Sequence, residues 1–279
     1  DAATIAEVLQ AEGVSTYAVG KWHLAPLKEV NGAGPFEEWP LGRGFNRFYG
    51  FLPGSTDQFA PEITVDNHIT PKSLNTDYML TRDLADQAIA MLHDHQTFAP
   101  ERPFFLYFAT PGMHAPHQAS PQYLQEQKGR YAQGWDQIRE ARFQRQKALG
   151  LLPDDATLAD NADRVVKWDT LSATQKAVYS RLQEAYAAML KETDVEIGRV
   201  IDELDRLGVK DNTIIILLSD NGASQEGGVT GLINHSAYYN GVVETEDDQY
   251  ARIDEIGGPD ALSNYPLGWA QTSNTPFPY

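Results

Sequence analysis

The sequence contains no cysteine among its 279 residues. This excludes disulfides, thiolate metal sites and a cysteine nucleophile within these residues. Basic residues are also scarce: 22 Lys and Arg stand against 39 Asp and Glu, giving a formal net charge of −17. Because nucleic acids and anionic membrane surfaces attract basic patches, we expect neither as a partner. No apolar run approaches the length of a transmembrane helix, so we expect no membrane span.

Two long helices are predicted from apolar periodicity. The first follows Thr76 or Asp77 as its cap. Its buried stripe is formed by Leu80, Leu84, Ala88 and Leu92. The second begins with a capping box of Ser172 and Gln175 and ends at Gly208. Its acidic residues are expected to form a solvated face; these are Glu192, Asp194, Glu196, Asp202 and Glu203.

Three strands are predicted between the helical segments. Thr16–Val19 is short, whereas Phe104–Phe108 and Thr213–Leu218 are apolar runs, which is typical of strands covered on both faces. Because helices and strands alternate, the predicted fold class is α/β, with a mainly parallel or mixed central sheet flanked by helices.

Polar side chains follow each predicted strand. Lys21 and His23 come after the first, His114 lies in a loop after the second, and Asp220 and Asn221 follow the third directly. Ligands of open α/β sheets bind beyond the carboxyl ends of the strands. If these strands are parallel neighbours, the five side chains converge on one site.

Lys21 and His23 combine a fixed positive charge with a proton carrier. On an extended backbone, side chains at positions i and i+2 share one side, so the pair can reach one anionic group. The alternative is a surface lysine and a packed histidine that flank a core tryptophan, Trp22.

Asp220 and Asn221 supply a carboxylate and a carboxamide oxygen. Such hard ligands suit Ca²⁺ or Mg²⁺ better than zinc. Two oxygens do not hold a divalent cation alone, so further ligands must come from elsewhere. The alternative for Asp220-Asn221-Gly222 is an ordinary turn.

Several motifs together resemble the sulfatase family. Gly20-Lys21-Trp22-His23-Leu24 is similar to the second sulfatase signature, and Asp220-Asn221-Gly222 is similar to the downstream metal-ligand pair. Further similarity lies in Arg43-Gly44-Phe45, Phe48-Tyr49-Gly50-Phe51, Leu80–Ala88, Pro103–Tyr107 and Gly134-Trp135-Asp136. The chain resembles the bacterial arylsulfatase branch of the alkaline-phosphatase-like superfamily, and this implies an alkaline-phosphatase-like fold.

The resemblance implies a role for each candidate residue. Asp220 and Asn221 would bind a calcium ion, with Mg²⁺ less favoured. Lys21 would contact sulfate oxygens, and His23 would be the base that helps release bound sulfate. His114, which fits the pattern of His, any residue, then Pro, would serve the leaving-group oxygen. The chain departs from the family where Ala115 replaces an aromatic residue and His117 replaces an apolar one.

Other sulfatase features do not occur in this sequence. The formylglycine nucleophile arises in a Cys/Ser-x-Pro/Ala-x-Arg motif, which is absent here, as are two further metal-binding carboxylates and a substrate-binding lysine. We therefore expect residues 1–279 to be one sulfatase catalytic domain truncated at both ends, with the formylglycine upstream. Alone, this fragment is expected to be inactive.

The resemblance also sets expectations for substrate and location. The substrate would be a small-molecule or glycan sulfate ester, and the family suggests a periplasmic or secreted protein; the oligomeric state is left open. Two alternatives remain: a phosphonate or phosphate diester hydrolase of the same superfamily, and a non-catalytic anion- or glycan-binding relative. An unmodified Thr or Ser as upstream nucleophile would favour the first, and calcium-dependent sulfate binding without turnover would favour the second.

Overall fold

The computed structural model describes residues 2–71 and 77–277, and the chain divides into two compact units. The first unit holds the chain up to His114 together with Lys191–Ile215; the second holds Ala115–Leu190 and the chain from Ile216 onward. The helices are α1 (Ile5–Ala11), α2 (Leu80–Phe98), α3 (Pro121–Gln127), α4 (Gly134–Ala148), α5 (Ala173–Arg206), α6 (His235–Tyr239), α7 (Glu246–Ala251) and α8 (Leu267–Ser273). The expectation of one catalytic domain over 1–279 stays a prediction.

The first unit is built on a mixed sheet. Its strands are β1 (Ser15–Lys21), β2 (Arg47–Phe51), β3 (Thr64–Val65), β4 (His68–Ile69) and β5 (Phe104–Ala109). They lie in the order β4-β3-β2-β1-β5. β1 is parallel to both β2 and β5, whereas β3 is antiparallel to β2 and β4. The predicted α/β fold class with a mixed, helix-flanked sheet is confirmed.

Alternate residues of the central strands pack on opposite faces of the sheet. Val19 of β1 and Phe51 of β2 lie in a core with α2 and the end of α5, whereas Ala18 and Phe48 lie in a second core. This second core includes Ala6 of α1. Successive side chains of a strand point to opposite faces of the sheet, so a strand that is covered on both faces contributes alternate residues to two cores.

Helix α2 covers one face of the sheet with the predicted stripe. Leu80, Leu84, Ala88 and Leu92 are all buried, as predicted. The predicted cap is not confirmed: the N-cap is Met79, so Asp77 lies outside the helix, and Thr76 lies outside the described residues. The backbone N–H of Leu80 instead donates to the carbonyl oxygen of Gln58 at 2.8 Å, which satisfies one helix-end donor through a tertiary contact.

Helix α5 begins as predicted but buries part of its acidic face. The Ser172–Gln175 capping box is present, with hydrogen bonds of 2.9 and 3.0 Å. Glu192, Glu196 and Glu203 are at most 5% exposed, so the predicted solvated face is wrong for these three residues. Charge pairing explains the burial in part.

Two of these buried acids, Glu196 and Glu203, pair with cations of the same unit. Glu203 contacts the His93 ring at 2.8 Å and Arg206 at 2.6 Å. Glu196 contacts Arg199 at 2.5 Å, and Arg199 also contacts an α2 carboxylate, that of Asp86, at 2.6 Å. These pairs link α2 to α5 within the first unit.

The second unit is helical and has an aromatic core. Trp135 of α4 packs edge-on against Trp168 and Trp269, with ring centroids 4.8 and 5.9 Å apart. The indole N–H of Trp269 donates to the carbonyl oxygen of Tyr179 at 2.8 Å. Buried indoles need such partners for their N–H groups.

The apolar run Thr213–Leu218 does not form the predicted strand. Ile214 is 90% exposed and Leu217 is 80% exposed, and no strand is assigned over the run. Strand formation depends on a neighbour that accepts the backbone hydrogen bonds and covers the side chains. Within residues 2–71 and 77–277, no backbone hydrogen bond pairs Ile214–Leu218 with a strand.

The strand β5 is less covered than the sequence predicts. Its apolar run predicts a strand covered on both faces, but β5 is the edge strand of the described sheet, and Tyr107 on it is exposed.

Among the residues that the structure describes, no helix combines the length and apolar character that crossing a bilayer requires.

Candidate functional site

The candidate site of the first unit lies at the carboxyl edge of its sheet. Lys21 is the last residue of β1 and is paired in register with Phe51, the last residue of β2. The preceding residue, Gly20, is paired with Ala109, which ends β5. Because the three strands are parallel, the segments that follow them start from the same edge.

Close backbone contact joins the three strands just before this edge. An ideal Cβ on Gly20 would lie 1.9 Å from the carbonyl oxygen of Ala109, and one on Gly50 would lie 1.9 Å from the carbonyl oxygen of Gly20. Gly20 also has a φ of +112°, a backbone conformation that residues with a side chain rarely adopt. Glycine is therefore required at both positions.

His23 follows Lys21 in a left-handed backbone conformation. β1 ends at Lys21 and the φ of His23 is +53°, so the premise of an extended backbone through both residues is wrong. The His23 N–H donates to the carbonyl oxygen of Leu52 at 3.0 Å. A non-glycine residue in this region stores strain, and strained residues cluster at functional sites. Whether Lys21 and His23 reach one group together stays a prediction.

Trp22 anchors the segment between the two polar residues. Its side chain is buried, and its indole N–H donates to the carbonyl oxygen of Glu38 at 2.8 Å. Its ring packs edge-on against Phe45 with centroids 5.9 Å apart. A core tryptophan was part of the alternative interpretation of this segment, but the His23 beside it is exposed rather than packed in the core.

His114 lies in a short loop after β5. Its N–H donates to the carbonyl oxygen of Pro111 at 2.9 Å, and its side chain is exposed. Gly112 of this loop packs against α5, because an ideal Cβ there would lie 2.6 Å from Oγ1 of Thr193. The loop that carries His114 is thus supported by the part of α5 that belongs to the same unit.

His117, the other histidine near this motif, has a packing environment instead. It belongs to the second unit and is buried there. Its ring stacks on Tyr265 at 4.8 Å and packs edge-on against Tyr186 at 5.1 Å. Burial raises the pKa of Tyr265 above its ordinary value, since a phenolate is poorly solvated in this aromatic cluster. These contacts favour His114 over His117 as the accessible group.

Asp220 and Asn221 lie in the second unit, in an irregular and exposed segment. The Asn221 side-chain amide donates to the carbonyl oxygen of Gly222 at 2.7 Å. The strand expected before them is not formed. Their convergence with Lys21, His23 and His114, which belong to the first unit, stays a prediction.

Asn274 holds the loop that follows the Asp220-Asn221 pair. Its side chain accepts a hydrogen bond from the Ala223 N–H at 2.7 Å and donates to the Ala223 carbonyl oxygen at 3.0 Å. An ideal Cβ on Gly222 would lie 2.5 Å from Oδ1 of Asn274. Residues from the two segments line an open cavity of about 580 Å³. No sequence pattern pointed to this contact.

The described residues supply only part of a metal-ion donor set. No group of three or more His, Cys, Asp or Glu side chains within residues 2–71 and 77–277 could hold a metal ion. Calcium takes about six to eight oxygen ligands. Asp220 and Asn221 have suitable chemistry, but they do not make a complete site.

The arrangement of the first unit follows the rule for open α/β sheets, in which ligands bind beyond the carboxyl ends of the strands. A lysine and an exposed imidazole follow one strand, and a second exposed imidazole follows its parallel neighbour. The chain belongs to the sulfatase family, whose family model matches residues 1–275.

Individual relatives support this membership. An uncharacterized sulfatase of Schizosaccharomyces pombe is 32% identical over 291 residues, covering 98% of this chain and 49% of that protein. An arylsulfatase of Klebsiella aerogenes is 30% identical over 284 residues, covering 98% of this chain and 57% of that protein. The chain therefore spans about half the length of these curated relatives.

A solved structure supports the fold. A protein described in connection with the metabolism of multiple glycosaminoglycans by Bacteroides thetaiotaomicron is similar to this chain with a TM-score of 0.51 and 17% identity. The similarity covers 75% of this chain and 39% of that protein. At this level of identity it shows the fold alone, and the predicted alkaline-phosphatase-like fold is confirmed.

Proposed function

We propose that the full-length polypeptide containing this chain is a sulfuric ester hydrolase of the arylsulfatase type. The observation that carries the proposal is the position of Lys21 and the exposed His23 at the carboxyl edge of a sulfatase-family sheet. The similarity to an arylsulfatase over 98% of the chain supports the same class.

Lys21 has the chemistry needed to bind the sulfate group. Hydrolysis requires negative charge on the non-bridging oxygens to be neutralised, and a fixed ammonium group provides this without rearrangement. In the proposed mechanism, the Lys21 Nζ–H groups donate hydrogen bonds to sulfate oxygens.

The two histidines have the chemistry needed to move protons. An oxygen of the nucleophile would form a bond to sulfur as the bond between sulfur and the ester oxygen breaks, and His114 would give a proton to the departing ester oxygen. His23 would then accept a proton from a second hydroxyl group of the nucleophile, so that the bond between the nucleophile's carbon and the sulfate oxygen breaks and sulfate is released. Proton transfer of this kind contributes about 10²- to 10⁴-fold. We propose that the nucleophile is a formylglycine outside residues 1–279, which contain no Cys/Ser-x-Pro/Ala-x-Arg motif.

Calcium is the proposed cofactor, with Asp220 and Asn221 as two of its ligands and with Mg²⁺ less favoured. When bound, the ion would neutralise charge on a sulfate oxygen. Two ligands do not hold the ion alone, and we propose that the full-length polypeptide supplies further ones. We expect the full-length polypeptide to bind calcium more tightly than the 279-residue chain. Titration calorimetry with calcium alone tests this, with Asp220→Asn against the exposed control Asp211→Asn.

The reaction class is tested by comparing a sulfate ester with a phosphate diester. The full-length polypeptide should hydrolyse 4-nitrophenyl sulfate with a higher kcat/KM than bis(4-nitrophenyl) phosphate. His23→Ala should remove most of the sulfatase activity, whereas the exposed control His68→Ala should retain it. Preference for the phosphate diester would instead support the alternative superfamily activity, and calcium-dependent sulfate binding without turnover would support a non-catalytic relative.

The role of His114 is tested with aryl sulfates whose leaving groups differ in basicity. His114→Ala should slow the esters with poor leaving groups most, because these need the proton. Equal losses across the series would contradict the role of His114 as proton donor. The natural substrate is proposed to be a small-molecule or glycan sulfate ester. A periplasmic or secreted location stays a prediction.

A further inference from the structure

The imidazole of His23 is oriented without hydrogen bonds from the described protein. The ring is exposed, and within the described part of the chain no side-chain or backbone group is hydrogen-bonded to it. Catalytic imidazoles are usually oriented through a second polar group. Within the described residues, packing contacts are therefore what hold the ring.

The backbone that carries the ring is fixed. The N–H groups of Trp22 and His23 donate to the carbonyl oxygens of Phe51 and Leu52, both at 3.0 Å. The buried Trp22 side chain holds the segment against the core. The position of the His23 Cα is therefore set, and the side-chain torsions alone decide where the ring lies.

Gly54, in the loop after β2, lies against the ring. An ideal Cβ on Gly54 would lie 2.7 Å from Cε1, 2.8 Å from Nε2 and 3.2 Å from Nδ1 of His23. Ordinary van der Waals contact begins at about 3.4 Å. The ring can occupy this position because residue 54 has no side chain.

We propose that Gly54 is a positioning residue that sets the orientation of the His23 imidazole, an inference that rests on the proposed function of His23. The backbone at Gly54 is not in the left-handed region, so alanine is compatible with its conformation. The added methyl group would push the ring by about 0.7 Å, the difference between 3.4 and 2.7 Å. Gly54→Ala therefore perturbs the ring rather than the fold.

The orientation is measured first, independently of activity. Diethyl pyrocarbonate modifies exposed imidazoles, and tryptic cleavage places His23 as the only histidine in the peptide Trp22–Lys28. Gly54→Ala in the full-length polypeptide should raise the modification rate of His23 severalfold and leave that of His68 unchanged. Gly32→Ala is the matched control, because an ideal Cβ there meets no atom within 4 Å. An unchanged rate at His23 would overturn the proposal.

The consequence for turnover is measured with a double-mutant cycle on an aryl sulfate. Displacement of a catalytic group by about 1 Å can cost up to about 10²-fold. Gly54→Ala should therefore lower kcat by about 10- to 100-fold with little change in KM, while its thermal melting temperature stays close to that of the wild type. In the His23→Ala background, the same change should have no further effect.

The outcomes separate this inference from the proposed function. Equal losses from Gly54→Ala with and without His23 would overturn the positioning role, since the effect would not pass through the ring. Full activity of His23→Ala would instead contradict the proposed function of His23, and the modification rate would still report whether Gly54 orients the ring.

Discussion

The two tyrosines that meet at Asp83 give a quantitative test of the packing beneath the site. One carboxylate oxygen of Asp83 accepts hydrogen bonds from Tyr49 of β2 at 2.5 Å and from Tyr78 at 2.7 Å. Hydrogen bonds to charged groups contribute about 1.5–3 kcal/mol each. The tyrosines are half-buried, so water can form hydrogen bonds with their hydroxyl groups once the carboxylate is removed. We therefore expect Asp83→Ala to lower the free energy of unfolding by about 2–3 kcal/mol in total.

The alkaline behaviour of the same cluster follows from its pKa values. Burial, reinforced by the hydrogen bond to Asp83, raises the pKa of Tyr49 and the pKa of Tyr78 above the ordinary value. The stabilisation is fully present below about pH 10, where both states keep the phenolic protons, and is lost as the pH rises further because the unfolded chain ionises first. Asp83→Ala should therefore lower the native phenolate titration range.

Urea unfolding gives the stability change, and ultraviolet absorbance follows phenolate formation. Asp83→Asn is the graded control, because it keeps one acceptor oxygen, while the charge is lost and the other oxygen becomes an NH2 donor. A loss below about 0.5 kcal/mol for Asp83→Ala, within the range of ordinary surface substitutions, would refute the reasoning that this carboxylate joins β2 to the start of α2. An unchanged phenolate titration range would refute its electrostatic part.

Three substitutions and one pH dependence test other parts of the structure. Gly20→Ala should prevent folding, because its Cβ would lie 1.9 Å from the carbonyl oxygen of Ala109; recovery of a folded protein by circular dichroism would contradict the strand contact. Ile214→Ser should change the free energy of unfolding of the 279-residue chain by less than about 0.5 kcal/mol. Leu84→Ala should instead lower it by about 2–5 kcal/mol, measured by urea unfolding. A large loss of stability from Ile214→Ser would contradict the exposure of Ile214. Burial raises the pKa of Tyr179 to about 12, so its contribution is complete below about pH 10 and is lost as the pH rises through 12, which stability measurements across this range can detect.

Local patterns predicted much of the fold correctly. The stripe of α2 is buried and the capping box of α5 is formed, because apolar periodicity and capping depend on residues close in the chain. The local pattern also correctly placed Lys21 at the end of a strand. The burial of the acidic residues of α5 could not be predicted from local patterns. Glu203, for example, is buried against His93, a partner more than one hundred residues away in the sequence.

Long-range contacts account for the remaining differences. The composition of Ile214–Leu218 favours a strand, but a strand also needs a neighbour, which the described residues do not provide. At the candidate site, the sequence predicts Lys21 and His23 as site residues, which stays a prediction, but it gives no indication of Gly54. A glycine in a loop indicates only a turn, and its contact with the His23 ring is visible only in three dimensions.

The central claim is that Lys21 binds the sulfate group of an ester. The most direct measurement is the kcat/KM of the full-length polypeptide for 4-nitrophenyl sulfate, with Lys21→Ala compared with Lys28→Ala, whose side chain is 82% exposed in the wild type. Loss of a charged hydrogen bond that acts in the transition state predicts a reduction of about 10²- to 10³-fold for Lys21→Ala and wild-type activity for Lys28→Ala. Equal activity of the two variants would contradict the account.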